Sequence, residues 1–348
     1  MAMSGGVDSA VAALLLKENY DITGVTLRLW SEDTPLPDST ECAPDRNVTD
    51  ARAVAELLDF EHISLSLGES FRRCVVDRFI SDYRRGATPN PCVECNRHIK
   101  FGKLFELADE MNIPYLATGH YARIVRAEDG GYLLKQAADR AKDQSYFLWS
   151  IKKERLPFIL FPLGEMTKAE IRAIAAEHGL PVASRSDSQG ICFIPDGDYA
   201  SFIQKYDGQG FREGNFVDLN GNILGRHQGI EKYTVGQRKG LGIALGVPMF
   251  VGKKDVADNS VTICSDSELY SDKLTARSVN ILTENTLETP TQLSAKIRYR
   301  HTPAAATVQR IGDDRISVVF DMPQRAIASG QSVVLYDGDT VVGGGIIE

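Results

Sequence analysis

The chain has 348 residues, 43% of them hydrophobic and 25% charged, with a net charge of −8. At about 150 residues per domain, that length calls for two or three domains. The acidic balance argues against a wholly basic nucleic-acid coat but leaves room for a local basic face. No apolar run approaches the ~18 residues a membrane span needs. The longest, Ala10 to Leu16, leads straight into Lys17 and Glu18, and the polar Ser-Gly-Gly starting at Ser4 does not read as a secretory signal. The expected location is the reducing cytoplasm, with no membrane contact, where six cysteines are not a disulfide framework.

Met3 to Ser9 reads Met-Ser-Gly-Gly-Val-Asp-Ser and opens the helical run Ala10 to Leu16. Two glycines let the backbone turn tightly and bring its N–H groups close to an anion. The helix that follows adds its N-terminal donors and positive dipole end. Ser4 and Ser9 offer hydroxyls to phosphate, and Asp8, acidic beside an anion, makes sense as a holder of Mg²⁺. A Walker A loop would need Gly-x-x-x-x-Gly-Lys-Ser/Thr. A bare Gly-Gly would be a helix cap, but six specified residues at a strand-to-helix junction point to a nucleotide. Only Met1 and Ala2 precede Met3, so the strand expected ahead of the loop is clipped or truncated.

Ile22 to Trp30 reads as a strand, and Thr49 to Leu58 as a helix with Thr49 as its N-cap. Tyr115 to Thr118 is a short strand ending at Gly119. Thr167 to Glu170 is a capping box whose helix runs to Gly179, with Pro181 beyond. This alternation predicts an α/β domain with a parallel sheet covered by helices over residues 1–205.

After about residue 205 helical periodicity disappears. Asn220-Gly221 between Phe216-Val217 and Ile223-Leu224 signals a hairpin. So does Asp337-Gly338, and Val308 to Phe320 turns at Gly312-Asp313-Asp314. Short strands with Gly, Asn and Asp turns predict two small β-barrel domains, 206–273 and 274–348. Three basic stretches stand out: Arg84, Arg85, Arg97, Lys100 and Lys103; Arg226, Lys232, Arg238 and Lys239; and Lys296, Arg298 and Arg300. Each taken alone reads as solvated surface.

Asn90-Pro91-Cys92-Val93-Glu94-Cys95-Asn96 sets two thiols three residues apart, and Gly190-Ile191-Cys192-Phe193 supplies a third. A zinc site would use Cys92 and Cys95 with two more ligands, and since a second Cys-x-x-Cys is absent only scattered Cys or His could complete it. Inert burial suits Cys42, Cys74 and Cys264, which lie in no motif. Redox or sulfur-carrying chemistry is the third reading.

Ser4 to Ser9 resembles the pyrophosphate loop of the N-type ATP pyrophosphatases. Seven further motifs follow in order: Asn90 to Asn96, Thr118 to Tyr121, Lys142 to Ser145, Pro162 to Gly164, Asp187 to Phe193, Thr234 to Arg238, and Lys296 to Arg300. Together they resemble the tRNA-specific 2-thiouridylase family (MnmA/TrmU) along nearly the whole chain. The resemblance implies adenylation of the wobble uridine of tRNA by ATP with Mg²⁺, then displacement of AMP by sulfur. It implies ATP contacts at Ala2, Met3, Ser4, Gly5, Gly6, Val7, Asp8, Ser9, Leu27 and Gly119. Cys192 would carry the persulfide and Cys95 would resolve it through a transient disulfide. Asn90, Pro91 and Cys92 match the segment that meets the target base. His120, Lys142, Asp143, Gln144, Arg298, Tyr299 and Gln331 match tRNA contacts. An upstream cysteine desulfurase or sulfur carrier protein would supply the sulfur. One departure matters: many members carry Asp where this chain has Cys92, so Cys92, Cys95 and Cys192 form a set that could instead ligate an iron–sulfur cluster.

Overall fold

The structure, a computed structural model, describes residues 1–29, 44–185, 190–243 and 245–348. Trp30, Cys42 and the motif residues Asp187 to Gln189 lie outside them. The chain divides into two compact units. The first comprises Met1–Val75, Cys92–Gly197 and Asp339–Val341; the second comprises Val76–Pro91, Asp198–Gly338 and Val342–Glu348.

The first unit opens with α1 (Val7–Lys17), β1 (Thr23–Arg28), α2 (Pro44–Leu57) and β2 (Glu61–Ser66). It continues with β3 (Leu116–Ala117), the hairpin of β4 (Ala122–Arg126) and β5 (Tyr132–Gln136), and β6 (Ile159–Leu160). β1 and β2 run parallel from Thr23 opposite Glu61 to Arg28 opposite Ser66, and β3 runs parallel to β6. The short start of the chain sits between these pairs. The Met3 N–H donates to the Val25 carbonyl, the Val25 N–H to that of Met1, and the Ala2 N–H to that of Ala117, each at 2.8 Å. Three residues therefore fill the place of the first strand, in the order β2, β1, Met1 to Met3, β3, β6.

The small face of α1, Ala10 and Ala12 with Val7 and Val11, is buried with Met3, Ala51, Val54, Leu163 and Ile171. α2 starts at Pro44, so Thr49 is an interior residue and not the expected N-cap. The helix begins more than one turn ahead of a Thr49 cap. The Thr167 capping box forms as expected: the Glu170 N–H donates to Thr167 Oγ1 at 3.3 Å and the Thr167 N–H to Glu170 Oε2 at 2.7 Å. It starts the helix Lys168–Glu177.

In the second unit the helix Asp77–Arg84 lies on the helix Tyr199–Asp207, with Tyr83 stacked on Tyr199 at 4.6 Å. The latter helix runs across residue 205, where strand-only grammar was expected to begin. Arg84 is spent inside this unit: it is 2.8 Å from Asp207 and 2.9 Å from Glu231, so the first basic stretch is not one continuous solvated face. β7 (Gly214–Val217), β8 (Ile223–His227), β9 (Phe250–Asp255) and β10 (Ser260–Cys264) form a sheet ordered β8-β7-β10-β9 around Phe216, Val251 and Val261. The last strands are β11 (Tyr270–Ile281), β12 (Thr291–Lys296), β13 (Ala304–Arg310), β14 (Arg315–Arg325), β15 (Ser332–Asp337) and β16 (Thr340–Ile347). They follow the order β11-β14-β13-β12-β15-β16, and β11 pairs back onto β16, closing a six-stranded barrel. Its core alternates along the strands, as Ile316, Val318 and Phe320 do in β14. All three expected hairpins form.

Candidate active site

The Ser4–Ser9 loop is cross-braced by its own hydroxyls. Ser9 Oγ accepts from the Ser4 N–H at 3.2 Å and donates to the Gly6 carbonyl at 3.0 Å, while the two hydroxyl oxygens lie 3.2 Å apart. The loop leads into the eleven-residue α1 through an extended Gly6. This aims the helix N-terminus, with its positive dipole end, at whatever the loop cradles. Gly119 belongs to the same construction: a Cβ there would stand 3.0 Å from Asp8 C and Ser9 N. A side chain there would press on the loop backbone. Leu27 lies near the end of β1, half-buried and opposite Leu65.

Three residues at this loop were not among the expected site residues. Asp8 Oδ1 accepts from Tyr121 Oη and from Lys168 Nζ, both at 2.7 Å. Arg185 Nη1 donates to the Gly5 carbonyl at 2.7 Å, and Arg185 Nη2 to Asn47 Oδ1 at 2.6 Å. Two cations thus flank an anion-binding loop. Lys168 is the first residue of its helix, so the capping box that starts the helix also sets this lysine. That signal was legible as a cap and illegible as a site.

The thiols differ in accessibility. Cys95 is buried, Cys92 is half-buried and Cys192 is exposed. Burial pushes the Cys95 thiol up to about 11, helped by the neighbouring Cys92 and opposed by the Lys100 ammonium. Burial raises Cys92 as well, again against Lys100. Cys192 is followed by the buried Phe193 and Ile194, and Phe193 meets Phe71 edge-on at 5.7 Å. The exposed thiol therefore rides on an anchored base. Among the described residues no three His, Cys, Asp or Glu side chains stand together in a metal-binding group. Cys92, Cys95 and Cys192 form no such group among the described residues.

The residues matched to tRNA contacts behave unequally. Asp143 is buried, and its carboxylate accepts from the N–H groups of Ala137 and Ser145 and from Ser145 Oγ, at 2.9–3.2 Å. It organises its own loop. Gln144 Oε1 takes the Tyr121 N–H at 2.9 Å, and Lys142 is half-buried. His120 is buried against Phe101 and Phe161, with Nδ1 2.7 Å from Thr118 Oγ1, and burial holds its pKa well below the usual value. Arg298 Nη1 donates to the Arg325 carbonyl at 3.0 Å, and Lys296 Nζ stands 5.7 Å from the Tyr299 ring. Asn90 is half-buried and Pro91 buried. Gln331 donates its amide to the Thr88 carbonyl at 2.9 Å.

Comparison with known proteins matches three family models in succession. Residues 1–196 match the tRNA methyl transferase HUP domain, 200–265 the tRNA methyl transferase PRC-barrel domain, and 271–347 the aminomethyltransferase beta-barrel domain. The tRNA-specific 2-thiouridylase MnmA of Clostridioides difficile is 47% identical over 350 residues, covering 100% of this chain and 97% of that one. Its namesake in Moorella thermoacetica is 48% identical over 351 residues, covering 100% and 98%. The conclusion from phosphate loop, barrels and full-length likeness is one: the chain belongs to the tRNA-specific 2-thiouridylase family.

Proposed function

We propose that the chain is a cytoplasmic tRNA-uridine 2-sulfurtransferase that uses ATP and Mg²⁺ to thiolate C2 of the wobble uridine, with Cys192 as sulfur carrier and Cys95 as resolving thiol. C2 of uridine is a poor electrophile until its oxygen becomes a leaving group, which adenylation achieves. The loop Ser4 to Ser9, backed by Lys168 and Arg185, binds the phosphates; Asp8 is the residue suited to hold Mg²⁺, which would neutralise charge on them. Ala2, Met3, Leu27 and Gly119 frame the rest of the nucleotide. The target base leaves its stack to meet Asn90 to Cys92. Lys142, Arg298 and Tyr299 serve backbone contact and stacking; His120, Asp143 and Gln144 shape the surface that Lys142 works from.

The observation that carries the sulfur assignment is the contrast in exposure between two thiols of one unit. An outside donor, a desulfurase or sulfur carrier protein, can reach the exposed Cys192 but not the buried Cys95. The donor loads sulfur onto Cys192 as a persulfide. Its terminal sulfur bonds to C2 and AMP leaves with the former O2. The Cys95 thiolate then attacks Cys192 Sγ. The Sγ–S bond breaks, its electron pair stays on the sulfur now at C2, and a Cys95–Cys192 disulfide forms. A thiol reductant resets the pair with two electrons.

The two cysteines should fail differently. Cys192→Ser should still release pyrophosphate from ATP in the presence of tRNA but accept no sulfur. Cys95→Ser should still accept sulfur on Cys192 and then stall with Cys192 joined to tRNA through a disulfide at C2. Intact-protein mass spectrometry reads both states. Full thiolation by either variant would overturn the assignment.

A further inference from the structure

The chain passes from the second unit into the first between Pro91 and Cys92. The stretch just before it has little means of holding itself. Pro89 and Pro91 lack N–H groups, and residues before proline are kept extended, so the carbonyls are its main handles. Those carbonyls are taken within the second unit. Gln331 Nε2 donates to the Thr88 carbonyl at 2.9 Å and lies 3.4 Å from that of Pro89. Lys254 Nζ, which also donates to the Tyr233 carbonyl at 2.9 Å, stands 3.5 Å from the Ala87 carbonyl. The Thr88 N–H donates to the Ser329 carbonyl at 2.7 Å. Between these anchors, Gly330 sits at φ +87°, where a Cβ would fall 2.9 Å from Ala87 Cβ and 3.0 Å from Thr88 N. The turn Ser329 to Gln331 thus closes on Thr88 and Pro89 through both backbone and side chain.

We infer that Gln331 is a positioning residue for the reaction, holding Thr88 and Pro89 so that Asn90 to Cys92 and Cys95 stand where the base and sulfur must meet. The inference rests on the roles proposed above for those residues. Its physical basis is stiffness. From Thr88 the chain runs through two prolines into the helix Pro91–Glu94 and then Cys95. A displacement at Thr88 has few free dihedrals in which to dissipate before it reaches the thiol. This role differs from direct tRNA contact, the role that the resemblance implies for Gln331. In this structure its amide is engaged with the chain itself.

The test uses the full chain with Gln331→Met, which keeps volume and removes the donor, and with Gly330→Ala, which blocks the close approach by a separate route. Cys95 alkylation by iodoacetamide is followed by mass spectrometry without ATP or tRNA, and thiolation kinetics are measured separately. Loss of one hydrogen bond should speed Cys95 alkylation about fivefold. Misplacement should lower kcat by about 10- to 100-fold with KM for tRNA nearly unchanged. Gly330→Ala should move both readouts the same way. Unchanged alkylation in both variants, or a raised KM with kcat retained, would overturn the inference and return Gln331 to tRNA contact. Faster alkylation in Gln331→Met alongside full thiolation by Cys95→Ser would uphold the clamp and sink the catalytic reading of Cys95 instead.

Discussion

At the residue scale, Cys95 combines a proposed nucleophilic task with an environment that keeps it protonated. With its thiol pushed up to about 11 by burial, the free chain holds little thiolate at neutral pH. Alkylation of Cys95 in the substrate-free chain should therefore rise about tenfold per pH unit until pH approaches 11. The linkage has a definite sign. The folded value lies above the unfolded one, so the folded chain is the better proton binder. Its stability should fall as pH rises from about 9 to about 11. Denaturant titrations across that window should show the loss in the parent chain and a smaller one in Cys95→Ser. Lys168 offers a second residue-scale test. Its ammonium, 2.7 Å from Asp8 Oδ1 at the phosphate loop, is placed to meet the charge of the departing pyrophosphate. A hydrogen bond to a charged group contributes about 1.5–3 kcal/mol, so Lys168→Met should lower kcat/KM for ATP by about 10- to 100-fold. tRNA affinity should stay unchanged. Pyrophosphate release and a tRNA-binding titration, run side by side, check both halves.

At the scale of elements, the phosphate loop is built from two connections, one leading into a helix and one joining two strands. One is the loop ahead of α1, and the other is the Thr118–Tyr121 segment that Gly119 lets lie against Asp8 and Ser9. Gly119→Ala should displace the loop by a few tenths of an ångström, since the nearest atoms are backbone and cannot turn aside. Tight phosphate geometry makes that costly: tRNA-dependent pyrophosphate release should fall by about 10- to 100-fold while the thermal transition moves little. A wild-type rate in Gly119→Ala would show that the loop tolerates the intrusion. The capping box of the helix Lys168–Glu177 was plain in the sequence because its bonds close within three residues. The start of α2 was not, because Pro44 and not Thr49 begins it.

At the scale of the whole molecule, a net charge of −8 gives tRNA no general attraction, so affinity has to come from local basic faces. Arg226 lies 3.6 Å from Glu213, and Arg84 is enclosed by Asp207 and Glu231. The segment Lys296 to Arg300 remains the better candidate. If Arg298 meets a phosphate, Arg298→Ala should reduce the log–log salt slope of tRNA binding by about 0.7–0.9. Filter binding across a salt series measures it, and an unchanged slope would remove that segment from the interface.

Much of this protein was legible in its sequence, for a physical reason: the readable features are short-range. The phosphate loop, the hairpins at Asn220-Gly221 and Asp337-Gly338, and the Thr167 cap are each specified by residues within a few positions of one another. Tertiary structure alone decided which distant groups meet and which thiols face water. Lys168 reaches Asp8 across 160 positions, Arg185 reaches Gly5 across 180, and Gln331 reaches Thr88 across 243. Three cysteines that the motifs singled out were sorted by packing into one exposed, one half-buried and one buried. Burial belongs to the neighbours that the fold assembles, and no local spacing encodes it.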